Sequence, residues 1–312
     1  MTTGQFNFMS ADTPSSLRRN GRVRMDRDGD GNTAGTHGVD LTRVDMSVED
    51  GRARALTCAR NGFELLDAPL TAELDFLDHR SVVDRYYPEC VALVEQATGA
   101  QAFAFDHNVR SAGGHRADTR IQGGQMVQQP AHVVHGDYTL TSAPERLRQL
   151  AQPPTGNDTL RGVLPDGEAL VSGDDLGRVT SADGRFAIIN VWRNIKEAPV
   201  QSHPLALCDA QTVTPEELVV FEIHYADRIG ENYFSKSDER HRFYYFPEMT
   251  RDEALLIKQW DSAGRLATSE GTQGDAADDT CTFSFHSAFH DQEAPAAADD
   301  RWSIEVRCLV VY

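Results

Sequence analysis

RFAIINVWRNI, residues 185–195, is dense in Ile, Val and Phe and reads as a sheet strand. PLALCD (204–209), ELVVFEIHYA (217–226), HRFYYFPEM (241–249), CTFSFHSAF (281–289) and RWSIEVRCLVVY (301–312) have the same texture. Gly- and Pro-containing turns separate them. Upstream, AFAFDHNVR (102–110) alternates in part, and residues 131–140 resume a strand-like pattern. There is no internal repeat and no Rossmann glycine fingerprint. Short strands without regular intervening helices favour an antiparallel sandwich or barrel over βαβ units. Helical spacing is confined to residues 71–99, where Pro88 predicts a break or kink and so two helices, and to a short helix around RLRQL. TRDEALLIKQWDS (250–262) predicts a capped short helix or turn. The early helices are expected to cover one face of the β structure.

Residues 1–50 predict an extended or partly disordered lead-in, because Gly, Asp, Arg and Thr dominate from residue 8 onward. Residues 51–312 then form a single domain. Within the lead-in, Asp26, Asp28, Asp30 and Gly31 imitate the start of a calcium loop. The twelfth position is His37, where such a loop needs a bidentate glutamate, so a solvated acidic turn is expected. The polar, Gly-rich segment at 111–130 has the character of a lid or binding loop.

The net charge of −18 disfavours general affinity for nucleic acid or an anionic membrane, and points to a small-molecule partner. Five cysteines with no zinc-type spacing argue against a disulfide scaffold and for a reducing, cytoplasmic setting. No stretch approaches the roughly 20 apolar residues of a membrane span. Oligomeric state, monomer or homodimer, is open.

AHVVHGDYTL (131–140) holds the chemistry. His135 and Asp137 lie two apart, and two residues two apart on a strand share a face. One further histidine would complete a two-His, one-carboxylate triad, which suits non-haem Fe(II) and leaves coordination positions open. His286, beside Phe283 and Phe285 on a late strand, is the candidate, with His290 its rival. Downstream, Arg301 and Ser303 alternate onto one face, as do Glu305 and Arg307. A guanidinium with a neighbouring hydroxyl is suited to clamping a carboxylate. Arg193 could pair with a substrate carboxylate and Trp192 could form an aromatic wall. His107 could reach the cavity, as could one of Tyr244 and Tyr245, with Tyr244 chosen. His224 and His241 read as hydrogen-bonded structural histidines.

FDHNVR, VVHGDYT, INVWRNI, HPLALCDAQTV, HYADRIGENYF, HRFYYFPEMTRDEALLIKQWDS, FSFHSAF and RWSIEVRCLVVY carry a resemblance from about residue 60 to Tyr312. They resemble a fungal and bacterial family of non-haem iron oxygenase-like proteins. That family includes asparasone-pathway hydroxylase/desaturase-like proteins, gibberellin desaturase-like proteins and a cephamycin methoxylation partner protein. The resemblance implies a mainly β fold, with a double-stranded β-helix (jelly-roll, cupin-like) core and flanking N-terminal helices. It implies Fe(II), 2-oxoglutarate and O2 as the reaction's components. His135, Asp137 and His286 would be the iron ligands. Arg301 and Ser303 would take the far carboxylate of 2-oxoglutarate, and Asn190, Trp192 and Arg193 would line the cavity. Gly136 departs from the pattern, since a bulkier apolar residue is common there.

Hydroxylation or desaturation of an unactivated C–H in a small metabolite, such as an amino acid or other carboxylate, is therefore expected. Asp137 favours this over halogenation, because it leaves no room for a halide. Two alternatives remain at this stage: an iron oxidase that does not use 2-oxoglutarate, and a non-catalytic partner protein. Arg301 in the same cavity as the triad would favour the first reading; an exposed apolar docking patch would favour the last.

Overall fold

The computed structural model describes residues 1–28, 33–71, 73–156, 158–225, 228–276, 279–295 and 297–312. Its strands are β1 (Thr2–Met9), β2 (Arg24–Arg27), β3 (Thr33–His37), β4 (Leu41–Asp50), β5 (Phe63–Asp67), β6 (Gln101–Arg110), β7 (His135–Gly136) and β8 (Phe186–Asn194). They continue as β9 (Leu205–Cys208), β10 (Leu218–His224), β11 (Ile229–Ser235), β12 (Phe243–Tyr245), β13 (Glu253–Asp261), β14 (His286–Ala288), β15 (His290–Asp291) and β16 (Ser303–Val311). One mixed sheet has the order β15-β1-β4-β12-β9-β14-β7-β11-β10-β2-β3, and a five-stranded antiparallel sheet has the order β5-β13-β8-β16-β6. The protein is thus mainly β with flanking helices.

The smaller sheet follows from its sequence. Every residue of β8 is buried, and β13 and β16 are buried almost throughout. Strands covered on both faces read as near-continuous apolar runs, which is what FAIIN and CLVV are. One face meets the larger sheet: Trp192, Leu255 and Ile257 share a core with Leu207 of β9. The other is covered by the helix Tyr87–Thr98, which packs on β6, β8 and β16 through Cys90 and Val94.

The two helices expected around Pro88 are instead a nearly continuous helical run. His79–Ser81 passes into a π-helical turn, Val82–Tyr86, before Tyr87–Thr98. Pro88 sits in the first turn of the last piece, where its missing N–H costs nothing. Gly99 ends it with φ 68°, a left-handed cap that glycine adopts without strain.

Two expectations are corrected. Residues 250–262 are not a helix or turn but hold β13, an interior strand of the smaller sheet. Its charges misled: buried Lys258 pairs with Asp261 at 3.1 Å, and Asp261 with Arg185 at 2.7 Å, so these ions are inside the fold. The described residues of the first fifty are largely extended but built in. β1 pairs with β4 along its whole length, and Phe6 and Phe8 are fully buried. The Asp26–Gly31 motif falls partly outside the described residues; Asp26 lies in β2 and meets His37 Nε2 at 2.9 Å.

Candidate metal centre

The larger sheet brings the triad together. β7 lies between β14 and β11, and His135 pairs with His286 across the β7–β14 ladder. Their ring centroids are 4.4 Å apart. Asp137 Oδ1 comes within 3.7 Å of His135 Nε2. One ligand-type atom from each of His135, Asp137 and His286 lies within 4.8 Å of the others, so these three converge, and His290 belongs elsewhere.

Each side chain is prepared for a cation. The His135 ring bonds through Nδ1 to the Val133 carbonyl at 2.7 Å, an acceptor only, which puts the proton on Nδ1 and leaves the Nε2 lone pair free. Burial, with His286 alongside, lowers its pKa to about 4, so the imidazole is neutral at physiological pH. Burial also lowers that of His286. Burial alone would raise the Asp137 pKa, but Arg307, the two imidazoles and the Asn190 amide outweigh it and hold the carboxyl ionised. The Asp137 carboxylate is also oriented. Oδ2 accepts from Asn190 Nδ2 at 3.1 Å and from Arg307 Nε at 3.3 Å, while Oδ1 faces the histidines.

Gly136 faces away from this centre. A Cβ there would stand 3.0 Å from the Phe283 ring, so a larger residue would need the ring to give by a few tenths of an ångström.

Register explains which other candidates arrive. In β16, Ser303, Glu305 and Arg307 share the inward face, with Glu305 opposite Trp192 and Arg307 opposite Asn190 on β8. Arg301, Trp192, His135 and His286 line one narrow cavity with Arg110 and Glu305. The Arg301 guanidinium carbon lies 5.6 Å from the Trp192 ring centroid. Arg301 is 3% exposed and donates through Nη1 to the His203 carbonyl, but its Nε is buried without a partner. Ser303 Oγ is likewise buried and unpartnered. A buried guanidinium edge and hydroxyl left open together fit a carboxylate.

On the other side of His135 and Asp137 is a cavity of about 560 Å³, walled by Arg110, Phe105, Tyr138 and Arg307 among others. That is a size suited to a small organic ligand.

Three sequence-based candidates do not reach these cavities. Arg193 points to the helical side, since Asn190 and Trp192 take the inward face. It donates to Tyr86 Oη at 3.0 Å and to the Ala68 and Arg251 carbonyls at 2.7 Å each. Tyr244 packs in a separate apolar cluster, 6.1 Å from Phe63 between ring centroids. His107 bonds Tyr87 Oη at 2.9 Å through Nδ1 and borders a different cavity of about 480 Å³. Asp106, one residue earlier, is the one that turns to Arg307, at 2.9 Å. Asn190 bonds Asp137 and does not line the Arg301 cavity. His224 and His241 are held by Glu222 and Glu217 as structural histidines.

Arg307, Arg110 and Gln259 were missed as site residues. Gln259 Oε1 accepts the Asp137 N–H at 3.1 Å. The alternation of Arg301, Ser303, Glu305 and Arg307 was the available signal for Arg307. Replacing Asn190 by alanine is expected to weaken Fe(II) binding about 10- to 100-fold, the usual cost of losing a group that orients a ligand. Competition against a calibrated chelator measures it.

A family model described as oxidoreductase/YMDC permease-like domain matches residues 7–164 and 169–311. An uncharacterized protein of Methylophilus leisingeri is 43% identical over 193 residues, spanning 61% of this chain and 89% of that protein. An alpha-ketoglutarate-dependent dioxygenase of Talaromyces stipitatus is 29% identical over 284 residues, 89% of this chain and 88% of that one. Among solved structures, an iron and alpha-ketoglutarate-dependent endoperoxidase superposes with a TM-score of 0.73 at 22% identity, covering 100% of this chain and 98% of that one, which shows a shared fold. The chain belongs to the oxidoreductase/YMDC permease-like domain family and is one of its Fe(II)/2-oxoglutarate-dependent oxygenase-like members.

Proposed function

We propose that this protein is an Fe(II)/2-oxoglutarate-dependent oxygenase that hydroxylates or desaturates an unactivated C–H of a small metabolite. The observation that carries the reading is Arg301, whose Nε is buried without a partner, in one cavity with His135 and His286, with the unpartnered Ser303 hydroxyl two residues along the chain on the same inward face. An iron oxidase without 2-oxoglutarate gives these buried donors no anion. Among the described residues, the large apolar side chains left exposed are Met1 and Leu41, which offers a non-catalytic partner role little surface to use. The two facing sheets support the jelly-roll form of the fold, and we assign the 111–130 segment as the lid, since Gln125 and Gln128 border the larger cavity.

In this reading His135 Nε2, Asp137 Oδ1 and a His286 nitrogen would hold Fe(II). With 2-oxoglutarate and O2, the iron supplies an oxidant strong enough to take hydrogen from a C–H bond, 2-oxoglutarate leaving as succinate and CO2. Arg301 and Ser303 fix the far carboxylate of the cosubstrate, with Trp192 as its wall. Asn190 and Arg307 keep Asp137 ionised and correctly turned. The substrate occupies the larger cavity, where Phe105 and Tyr138 exclude water and Arg110 can meet an acidic group.

The test is anaerobic addition of Fe(II) and then 2-oxoglutarate, following the weak visible charge-transfer band of the chelate. Wild type is expected to show it. Arg301→Lys keeps the charge but loses the planar fork, so its half-saturation for 2-oxoglutarate should rise roughly tenfold or more. A band with unchanged 2-oxoglutarate dependence would remove Arg301 from the cosubstrate site. No band despite bound iron would sink the 2-oxoglutarate reading.

A further inference from the structure

A second cluster of histidines stands beside this centre without a role in it. His132, His203 and His290 each present a ring nitrogen within 4.8 Å of the other two. The His132 and His290 rings lie 4.4 Å apart between centroids at an interplanar angle of 11°. His203 meets His132 edge-on at 5.0 Å and His290 at 5.3 Å.

Three separate segments converge here, each fixed by the frame. The His132 carbonyl accepts from Asn7 N at 3.3 Å and from Asn7 Nδ2 at 3.0 Å. His290 pairs with Gln5 across the β1–β15 ladder. The His203 carbonyl takes the Arg301 Nη1 bond, and its backbone stands at φ 45°, a left-handed conformation that costs a non-glycine residue stability. The Nδ1 atoms of both His132 and His203 are buried without a partner. Burial and the neighbouring histidines also keep His132 neutral, so its lone pair is available. A buried imidazole nitrogen left open, repeated on two rings and joined by a third, is a donor set lacking its acceptor.

We propose that His132, His203 and His290 form a second metal site, distinct from the iron centre, for a borderline divalent ion of the zinc type. Three neutral imidazoles with no carboxylate among them suit zinc, copper or nickel better than magnesium or calcium. Tetrahedral binding brings ligand nitrogens to about 3.3 Å from one another at metal–nitrogen distances near 2.05 Å. Rotation of the side chains supplies the approach. The fourth position is left to water, because His290 stands at the surface. Filled, the site ties β15, the segment before β7 and the His203 turn together behind Arg301.

Cobalt(II) is the probe, used on the full-length, metal-free protein. A tetrahedral three-histidine site gives intense visible absorption, whereas the two-histidine, one-carboxylate centre, six-coordinate with water, absorbs weakly. Wild type is expected to bind two equivalents by equilibrium dialysis and to show the intense band. His290→Asn, at the surface, should lose the band and one equivalent. His203→Asn should do the same, since asparagine tolerates the left-handed backbone. His286→Ala should retain the band while losing the other equivalent. Absence of the intense band in wild type, or its persistence in both asparagine variants, overturns the site. If the iron centre itself is misread, His286→Ala changes neither equivalent while the band still answers to His290, so the two failures are told apart.

Discussion

Alanine at position 286 is expected to leave a folded protein that no longer holds iron productively. His286 is 4% exposed, but its Nδ1 has no hydrogen-bond partner, so truncation strands no polar group and costs mainly packing, on the order of 1–3 kcal/mol. Iron affinity should fall by more than the roughly 100-fold that follows loss of a supporting residue, because a direct ligand is gone. Succinate release should fall on the order of a thousandfold, the equivalent of several kcal/mol of metal-derived stabilisation. Circular dichroism and chelator competition on the same sample separate the two effects. Wild-type iron affinity in a folded variant would remove His286 from the centre.

The largest stability effect is expected at Arg307. This guanidinium is the shared counter-ion of three carboxylates: Asp106 at 2.9 Å, and Asp137 and Glu305 at 3.2 Å each. Burial opposes its charge, yet the three acids hold its pKa above the ordinary value. Arg307→Met fills similar volume and leaves those acids facing one another. Breaking a buried pair by removing one partner costs about 3–5 kcal/mol, and the variant should lose that much in urea denaturation near pH 7. In wild type the folded-state pKa of Asp137 is depressed, so its contribution is complete above the unfolded carboxylate value and is lost only in acid. In the variant the folded pKa values of these carboxyls rise, so they take up protons on folding. The deficit should therefore shrink as pH falls from 8 toward 5. A deficit under 1 kcal/mol, or one that does not change with pH, would show that the acids are not held by Arg307.

The iron-type triad was legible because its signal is local: His135 and Asp137 sit two apart, one in β7 and one just past its end, and the apolar neighbours of His286 mark a strand as well. Strands with continuous apolar runs were legible for the same reason. β13 was not, because Lys258 and Asp261 look solvated in sequence and are paired inside the fold. β1 was passed over although Phe6 and Phe8 alternate with Gln5 and Asn7, because the polar residues that follow dominate the first fifty. Arg193 and His107 were misread through parity. Each is one residue from an inward-facing neighbour, and only the register with β16 decides which of the two turns in. The Arg307 hub depends on three strands meeting, and no window of sequence contains that.

The position of β16 has a consequence for how the chain is made. It lies between β8 and β6 in the smaller sheet, yet it is formed by residues 303–311, long after residues 101–110 and 186–194 have been synthesised. Until β16 inserts, β6 and β8 each present an unpaired, strongly apolar edge, the kind of surface on which nascent chains associate with one another. Insertion of a central strand from so far along the sequence is a long-range pairing and therefore slow. Heterologous production should thus yield more soluble protein at low temperature and low synthesis rate than at full induction. Because Ser303 and Arg307 ride on the same strand, no partly built chain can assemble either the clamp or the Asp137 support before that last strand closes the gap.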